Sequence, residues 1–312
     1  MELTLGNCQD STGVESGKNL RHQDSFEQVF TYLLHTIPMK PAPLSDTSFD
    51  ELLACFLQAF EGYFVPMPTD PAYYQQRWKA AKVNFDLSYG MFDEGKLVGF
   101  MIHAVDKRNG SLTAFNTGTG VLPEYRGQRM VQAMYDFALT DLQRHGIRRS
   151  TLEVITENQR AIRAYKQVGF SITKHYQCFA GEIQAPKAAG ILVREKALEG
   201  IDWGQLPDQA AYSWDFQAES LLGSDYRYVE VGKAENPESY FFLHPQTHRV
   251  AQLGVIRPEE GAWERLFAAI HQFSPTISII NVEASLHDKL SAIRSVGLKN
   301  TVNQYEMERV IG

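Results

Sequence analysis

Two stretches of this chain lie on one another without a gap. Laid residues 152–170 against 280–298, Val154, Ala164, Val168 and Gly169 recur as Val282, Ala292, Val296 and Gly297. Each stretch reads as an apolar strand followed by a short helix that a glycine closes. Upstream, Gln252-Leu-Gly-Val255 echoes Gly118-Thr-Gly-Val121, and residues 263–270 supply the helix between. Such self-similarity predicts one domain used twice. The 312 residues then divide into two domains of about 150 each. We place an extension at 1–39, a first domain at 40–185 and a second at 186–312.

The extension begins with a polar segment to residue 23. Ser25-x-x-Gln28 resembles a capping box, and Phe26, Val29, Phe30, Leu33, Leu34 and Ile37 follow at helical spacing before Pro38. A short amphipathic helix that docks on the body or on a partner fits this pattern, and Met39 is an alternative start. In the first domain, Ser48 caps a helix with Leu52, Leu53, Phe56, Leu57 and Phe60 on one face. A second helix covers residues 71–81. Three antiparallel strands follow at 88–92, 97–105 and 112–121, the first two joined by the turn at Asp93-Glu-Gly-Lys96. Next come a helix with Met130, Met134, Phe137, Ala138 and Leu142 on its inner stripe, a strand at 150–155, a helix from Asn158 and a final strand at 170–179. This is an α/β order.

A net charge of −7 gives no reason to expect a nucleic-acid partner. Cys8, Cys55 and Cys178 are too few and too scattered for a disulfide framework or a zinc site. With no leader and no apolar run of membrane length, the expectation is a cytoplasmic protein with no membrane segment and no metal.

The residues between the two strongest motifs carry the chemistry. Gly118 and Gly120 inside a strand signal a bulge or a close backbone approach, with an ordinary bend as the alternative. The turn that follows, Arg126-Gly127-Gln128-Arg129-Met130-Val131, opens a helix whose unpaired N–H groups suit an anion. Asn158 caps the next helix, and Tyr165 lies on its inner side, where an aromatic is ordinarily core.

Together, Gly118-x-Gly120, Arg126-Gly127 and Asn158-x-x-Ala161-x-x-x-Tyr165-x-x-x-Gly169-Phe170 resemble the GNAT (GCN5-related) N-acetyltransferase superfamily, here in tandem with a degenerate second copy. The resemblance implies two GNAT-like domains, each a mixed, mostly antiparallel twisted sheet flanked by helices. It implies acetyl-CoA as cosubstrate, with the pantetheine along Thr119, Gly120 and Val121. The pyrophosphate would meet Arg126, Gly127, Gln128, Arg129, Met130 and Val131, although Arg129 and Val131 stand where the family usually has glycine. Asn158 would bond the pantetheine, and Tyr165 would protonate the leaving thiolate.

The implied reaction is direct acetyl transfer to a primary amine in a ternary complex. An amine with a pKa near 10.4 is neutral in about one molecule in 2,500 at pH 7, a handicap of roughly 4–5 kcal/mol, so a base would help. Glu153 is the first candidate and Glu157 the next, with water relayed by backbone carbonyls or Asn116 as an alternative. Tyr63, Phe64, Tyr73, Tyr74 and Trp78 are candidates for an aromatic wall around a small-molecule or peptide amine. The second copy has Ile293 at the place of Tyr165 and Leu286 at that of Asn158, with Glu259 and Glu260 where a phosphate would lie. It is expected to complete the sheet, wall the acceptor cleft or mediate a homodimer. A non-catalytic acyl-CoA-binding or scaffold protein, and transfer to a hydroxyl, are the alternatives.

Overall fold

The computed structural model describes residues 39–108, 110–184 and 190–312. The expected helix at 25–37 and Cys8 lie outside the described residues.

Helix α1 (Phe49–Ala59) starts where the Ser48 hydroxyl accepts the Glu51 N–H at 3.2 Å. It buries Leu52, Leu53, Cys55 and Phe56. Helix α2 (Pro71–Ala81) is capped by Asp70 and has proline at its first position, where no N–H is needed. Strands β2 (Tyr89–Asp93) and β3 (Lys96–Arg108) form a hairpin. Its two turn residues, Glu94 and Gly95, both have positive φ (49° and 85°), as the twist of a tight hairpin demands. Strand β4 (Ser111–Val121) pairs antiparallel with β3 and leads through the loop to α3 (Met130–Arg144). Strand β5 (Arg149–Ile155), α4 (Gln159–Gln167) and β6 (Ser171–Glu182) complete the first half. Within α3, Tyr135 is buried beside Met134 and Ala138, whereas Phe137 is 39% exposed against the Tyr89 ring. Met130, Met134, Ala138 and Leu142 of the expected stripe are buried, and Tyr135 takes the place of Phe137.

Strand β1 (Lys40–Pro43) pairs with β2 at the sheet edge. Its two prolines fit only an edge strand, which is why it lacks a strand-like pattern. The second half opens with β7 (Val193–Lys196) at the opposite edge. A run of single-turn helices and the short α5 (Ala218–Leu221) then stands where the first half has α1 and α2. Strands β8 (Arg227–Lys233), β9 (Asn236–Leu243) and β10 (Arg249–Val255), α6 (Ala262–Phe273), β11 (Thr276–Glu283), α7 (His287–Ser295) and β12 (Lys299–Val310) follow.

The twelve strands of the described residues form one sheet in the order β1-β2-β3-β4-β5-β12-β6-β11-β10-β9-β8-β7. Exchanging each strand with the one six places away reproduces this order in reverse, so the sheet has a pseudo-twofold axis. The axis is visible residue by residue. The pair Gln304–Ile155 has its counterpart in Tyr176–Glu283, and the pair Tyr305–Val154 in Gln177–Val282. Tyr176–Gln304 maps onto itself. These are the correspondences that the sequence repeat predicts. The strand expected to close the first half, β6, instead lies inside the sheet. Each half sends its last strand across the axis, and β5 is hydrogen-bonded to β12 of the other half.

Candidate active site

Strands β4 and β5 run parallel and are paired only from Thr113 to Asn116 on β4 and from Arg149 to Leu152 on β5. Beyond that point β4 keeps β3 on one side and, among the described residues, has no strand on the other. The divergence begins at a bulge. The β3–β4 register shifts between Ile102 and His103, which leaves Thr117 extra. Asn116 holds this bulge: its Oδ1 accepts the Gly118 N–H at 3.1 Å, and its Nδ2 donates to Thr119 Oγ1 and Tyr135 Oη, both at 2.6 Å. With these bonds made, Asn116 serves the backbone bend rather than a water relay. A side chain at Gly120 would lie 2.4 Å from Phe100 Cζ and 2.9 Å from Ala59 Cβ. Close packing of α1 against β4 therefore requires glycine here.

A cavity of about 300 Å³ opens along the free side of β4. It is lined by Thr119, Gly120, Val121, Arg126, Val131, Asn158, Ala161 and Tyr165, together with Tyr63 and Phe64. At its outer end, Gly127 and Arg129 adopt positive φ (87° and 57°) immediately before α3. Arg129 thus keeps the left-handed conformation that a glycine would take at this place, at a cost of about 1–2 kcal/mol for an L-residue. The first turn of α3 has no side-chain cap. Its N–H groups and those of the loop can face an anion. Arg126 is folded back, donating from Nε to the Val121 carbonyl (3.1 Å) and from Nη2 to the Ala59 carbonyl (2.9 Å). It braces the loop onto α1 without losing its charge to a carboxylate. Gln128 and Arg129 are exposed, whereas the Met130 side chain is core, leaving only its backbone for a ligand. These features fit an extended, pyrophosphate-bearing thioester.

A second cavity of about 460 Å³ lies on the other side of Tyr165. Tyr63, Tyr73 and Tyr74 line it as expected, but Phe64 faces the first cavity and Trp78 is buried in the core. The cavity's floor carries Glu153, and Glu157 is exposed elsewhere. Tyr165 belongs to both cavities and is 8% exposed. Burial pushes its phenol up to about 12, with a hydrogen bond from Thr119 working against the shift. Asn158 Oδ1 caps α4 through the Ala161 N–H at 3.1 Å, while its Nδ2 lies 3.5 Å from the Tyr63 hydroxyl.

Glu153 is the unusual carboxyl of this site. Its Oε1 is buried without a hydrogen-bond partner among the described residues. Burial, reinforced by Asp215 and Glu306, pushes it up from 4.5 to about 8, against the opposing effects of Asn281 and Arg77. Asn281 Nδ2 donates to Glu153 Oε2 at 2.7 Å, and Gln304 Nε2 donates to Asn281 Oδ1 at 2.8 Å. Asn281 is the repeat counterpart of Glu153, yet the two do not sit symmetrically. The β11 register against β6 shifts between Ile279 and Val282, and Asn281 has φ 59°. An asparagine tolerates that conformation, and the bulge brings its amide to the carboxyl.

Other residues of the second half reach the same cavity: Asp215, Phe216, Arg249, Ile280 and Val302. Arg77 of α2 donates to Asp215 (3.1 Å) and to Thr117 Oγ1 (3.1 Å), tying both halves to the β4 bulge. Trp214 anchors this segment by stacking on Phe115 at 5.2 Å and donating to the Ala81 carbonyl at 3.1 Å. Sequence reasoning missed Arg77, Asp215, Arg249 and Gln304. Asn281 alone had a signal, its alignment with Glu153.

The second half has the same divergence, but its inner part is closed. β10 and β11 are paired only at Arg249–Ser278 and Val250–Ile279. Lys289, the counterpart of Ala161, is 3% exposed and donates to Tyr212 Oη at 3.0 Å, with Asp208 at 2.9 Å. Tyr212 in turn donates to the Leu253 carbonyl on β10 at 3.0 Å. Lys289 and Tyr212 fill the inner part of the gap, leaving about 10 Å³ there, while an outer cavity of about 480 Å³ remains, with Val255, Leu286 and Lys289 in its wall and the acidic Glu259 beside them. Among the described residues, no group of three His, Cys, Asp or Glu could hold a metal ion, and no helix is long and apolar enough to cross a membrane.

Residues 49–170 match the acetyltransferase (GNAT) family model. No curated protein matches the chain. Among solved structures, a tandem GNAT protein from the clavulanic acid biosynthesis pathway superposes with a TM-score of 0.65 at 14% identity, covering 88% of this chain and 98% of that one. A GCN5-related N-acetyltransferase from Sphaerobacter thermophilus gives 0.63 at 12% identity, covering 88% and 97%. These likenesses show a shared fold over both halves. The chain carries an acetyltransferase domain of the GNAT family at residues 49–170, and its two halves are built as GNAT-like domains on one continuous sheet.

Proposed function

We propose that this protein transfers an acetyl group from acetyl-CoA directly to a primary amine, with one active site per chain. The observation that carries this reading is that two cavities of different character meet at Tyr165. The one along β4 suits the thioester. Thr119 and Val121 offer backbone to the pantetheine, Asn158 flanks it, and residues 126–131 face the pyrophosphate. The one floored by Glu153 suits the acceptor. Glu153 removes a proton from the bound ammonium, and the neutral amine attacks the thioester carbonyl. Tyr165 donates its proton as the carbon–sulfur bond breaks. Among the described residues no cysteine lines the cavity along β4, and the buried Cys178 beside the acceptor cavity is hydrogen-bonded to Asn281, which favours direct transfer over an acyl-enzyme. In this reading residues 40–185 and 186–312 are the two domains, and the second serves the first.

Calorimetry with acetyl-CoA, followed by thiol release across an amine panel, tests the proposal. One equivalent bound per chain and amine-dependent thiol release are expected. Binding without transfer would leave a non-catalytic acyl-CoA-binding protein. Two equivalents would refute the view that Lys289 and Tyr212 close the second gap.

A further inference from the structure

The charges around the acceptor cavity are not all paired with one another, and the unpaired ones bear on what the acceptor is. Four arginine and carboxylic side chains line it: Arg77, Glu153, Asp215 and Arg249. Arg77 and Asp215 satisfy each other at 3.1 Å. Glu153 is the proton-accepting group, and its counter-charge is the ammonium of the acceptor. Arg249 remains. It opens β10, between the acceptor cavity and an adjoining one of about 380 Å³ that also holds Asp225, Tyr226 and His244. Its Nε is buried and has no hydrogen-bond partner among the described residues. The Tyr226 hydroxyl is beside it, and no carboxylate is paired with it among the described residues. A planar, permanently charged donor in a half-buried cavity is costly to leave without an acceptor, and its geometry matches a carboxylate or phosphate.

Resting on the acetyl-transfer reading above, we infer that the acceptor is an amine that also carries an anionic group, the anion bound by Arg249 and the ammonium directed to Glu153. The site would then be neutral when filled, with each substrate charge facing a fixed opposite charge. Arg249 belongs to the second half, so that half would select the substrate while the first performs the chemistry.

The test compares straight-chain ω-amino acids with alkylamines of the same length and with aminoalkyl phosphates, by initial rates of thiol release. Expected is a kcat/KM at least about 30-fold higher for one of the anionic series, lost in Arg249→Gln mainly through KM. Arg249→Lys should retain part of the preference, and the better of the two anionic series identifies the anion. Equal use of the uncharged-tail amines, or a preference that survives Arg249→Gln in a variant that still binds acetyl-CoA, would overturn the inference. If no amine is acetylated, the acetyl-transfer reading fails by itself. The anion site is then read by calorimetry of the same compounds on CoA-saturated protein. Heat lost in Arg249→Gln supports the site, and no heat in the wild type at millimolar ligand refutes it.

Discussion

Glu153→Gln should remove activity and add stability, and the pH dependence of the gain is its signature. The fold raises this carboxyl from 4.5 to about 8. A raised carboxyl pKa means that the folded protein holds a proton which the unfolded chain releases, so stability falls with rising pH between the two values. Below about 4.5 the group costs nothing. From there the penalty grows by about 1.4 kcal/mol per pH unit and levels off above about 8, near 5 kcal/mol. Glutamine never ionises and escapes this penalty. Its carbonyl can still accept from Asn281, but its NH₂ group enters the place of the unpartnered Oε1, which costs about 1–3 kcal/mol. The net gain at pH 9 is then about 2–4 kcal/mol. The constant amide cost cancels from the pH trend: the variant's advantage should widen by about 4 kcal/mol between pH 5 and 9. Urea unfolding of both proteins across that range measures it, without cofactor. Parallel curves would show that Glu153 titrates like an exposed carboxyl and would remove the physical basis for its role as base. In the same variant the chemical step should slow by about 100- to 10,000-fold.

Tyr165→Phe should lower kcat by about 100-fold while acetyl-CoA affinity, read by calorimetry, changes little; unchanged turnover would take the acid role from Tyr165. In the wild type, kcat/KM should rise with pH to a plateau above about 8 as Glu153 loses its proton. Asn281→Ala removes the donor that favours the charged carboxylate, so that rising limb should move to higher pH, whereas a merely structural Asn281 would leave its position unchanged. Gly120→Ala should cost about 1–3 kcal/mol in urea unfolding, because its methyl overlaps Phe100 and Ala59.

The first half was legible because its signals are local. Ser48, Asp93-Glu-Gly-Lys96 and Asn158 each act within a few residues, and the cap or turn each forms follows from its own chemistry. The divergence of β4 from β5 was legible in Gly118 and Gly120 for the same reason. Strand β1 was not, because its prolines erase alternation and it exists only by pairing with β2. The exchange of β6 and β12 was not legible either, since two antiparallel strands of similar pattern have no local mark of which neighbour they will take. The far wall of the site lay beyond reach for a third reason. Arg77, Asp215 and Arg249 are ordinary charged residues in the sequence, and only the docking of the segment around Trp214 gathers them.

The exchange of strands explains why a half without the candidate catalytic residues remains joined to one that has them. If the halves were independent, Ile293 and Leu286 would mark the second as a spare domain. But β12 separates β5 from β6, so the strand carrying Glu153 is completed by the last strand of the chain. The same crossing carries β11 toward the axis, where its bulge delivers Asn281 to Glu153, and the segment leading to β8 delivers Asp215 to Arg77. A symmetric pair of sites would need an open gap in each half, a carboxyl at both counterpart positions and an uninterrupted β11. Here Lys289 and Tyr212 fill the inner part of one gap, asparagine replaces one carboxyl, and the bulge turns that asparagine toward the carboxyl that remains. The three departures from symmetry all act to the benefit of the single site at Tyr165.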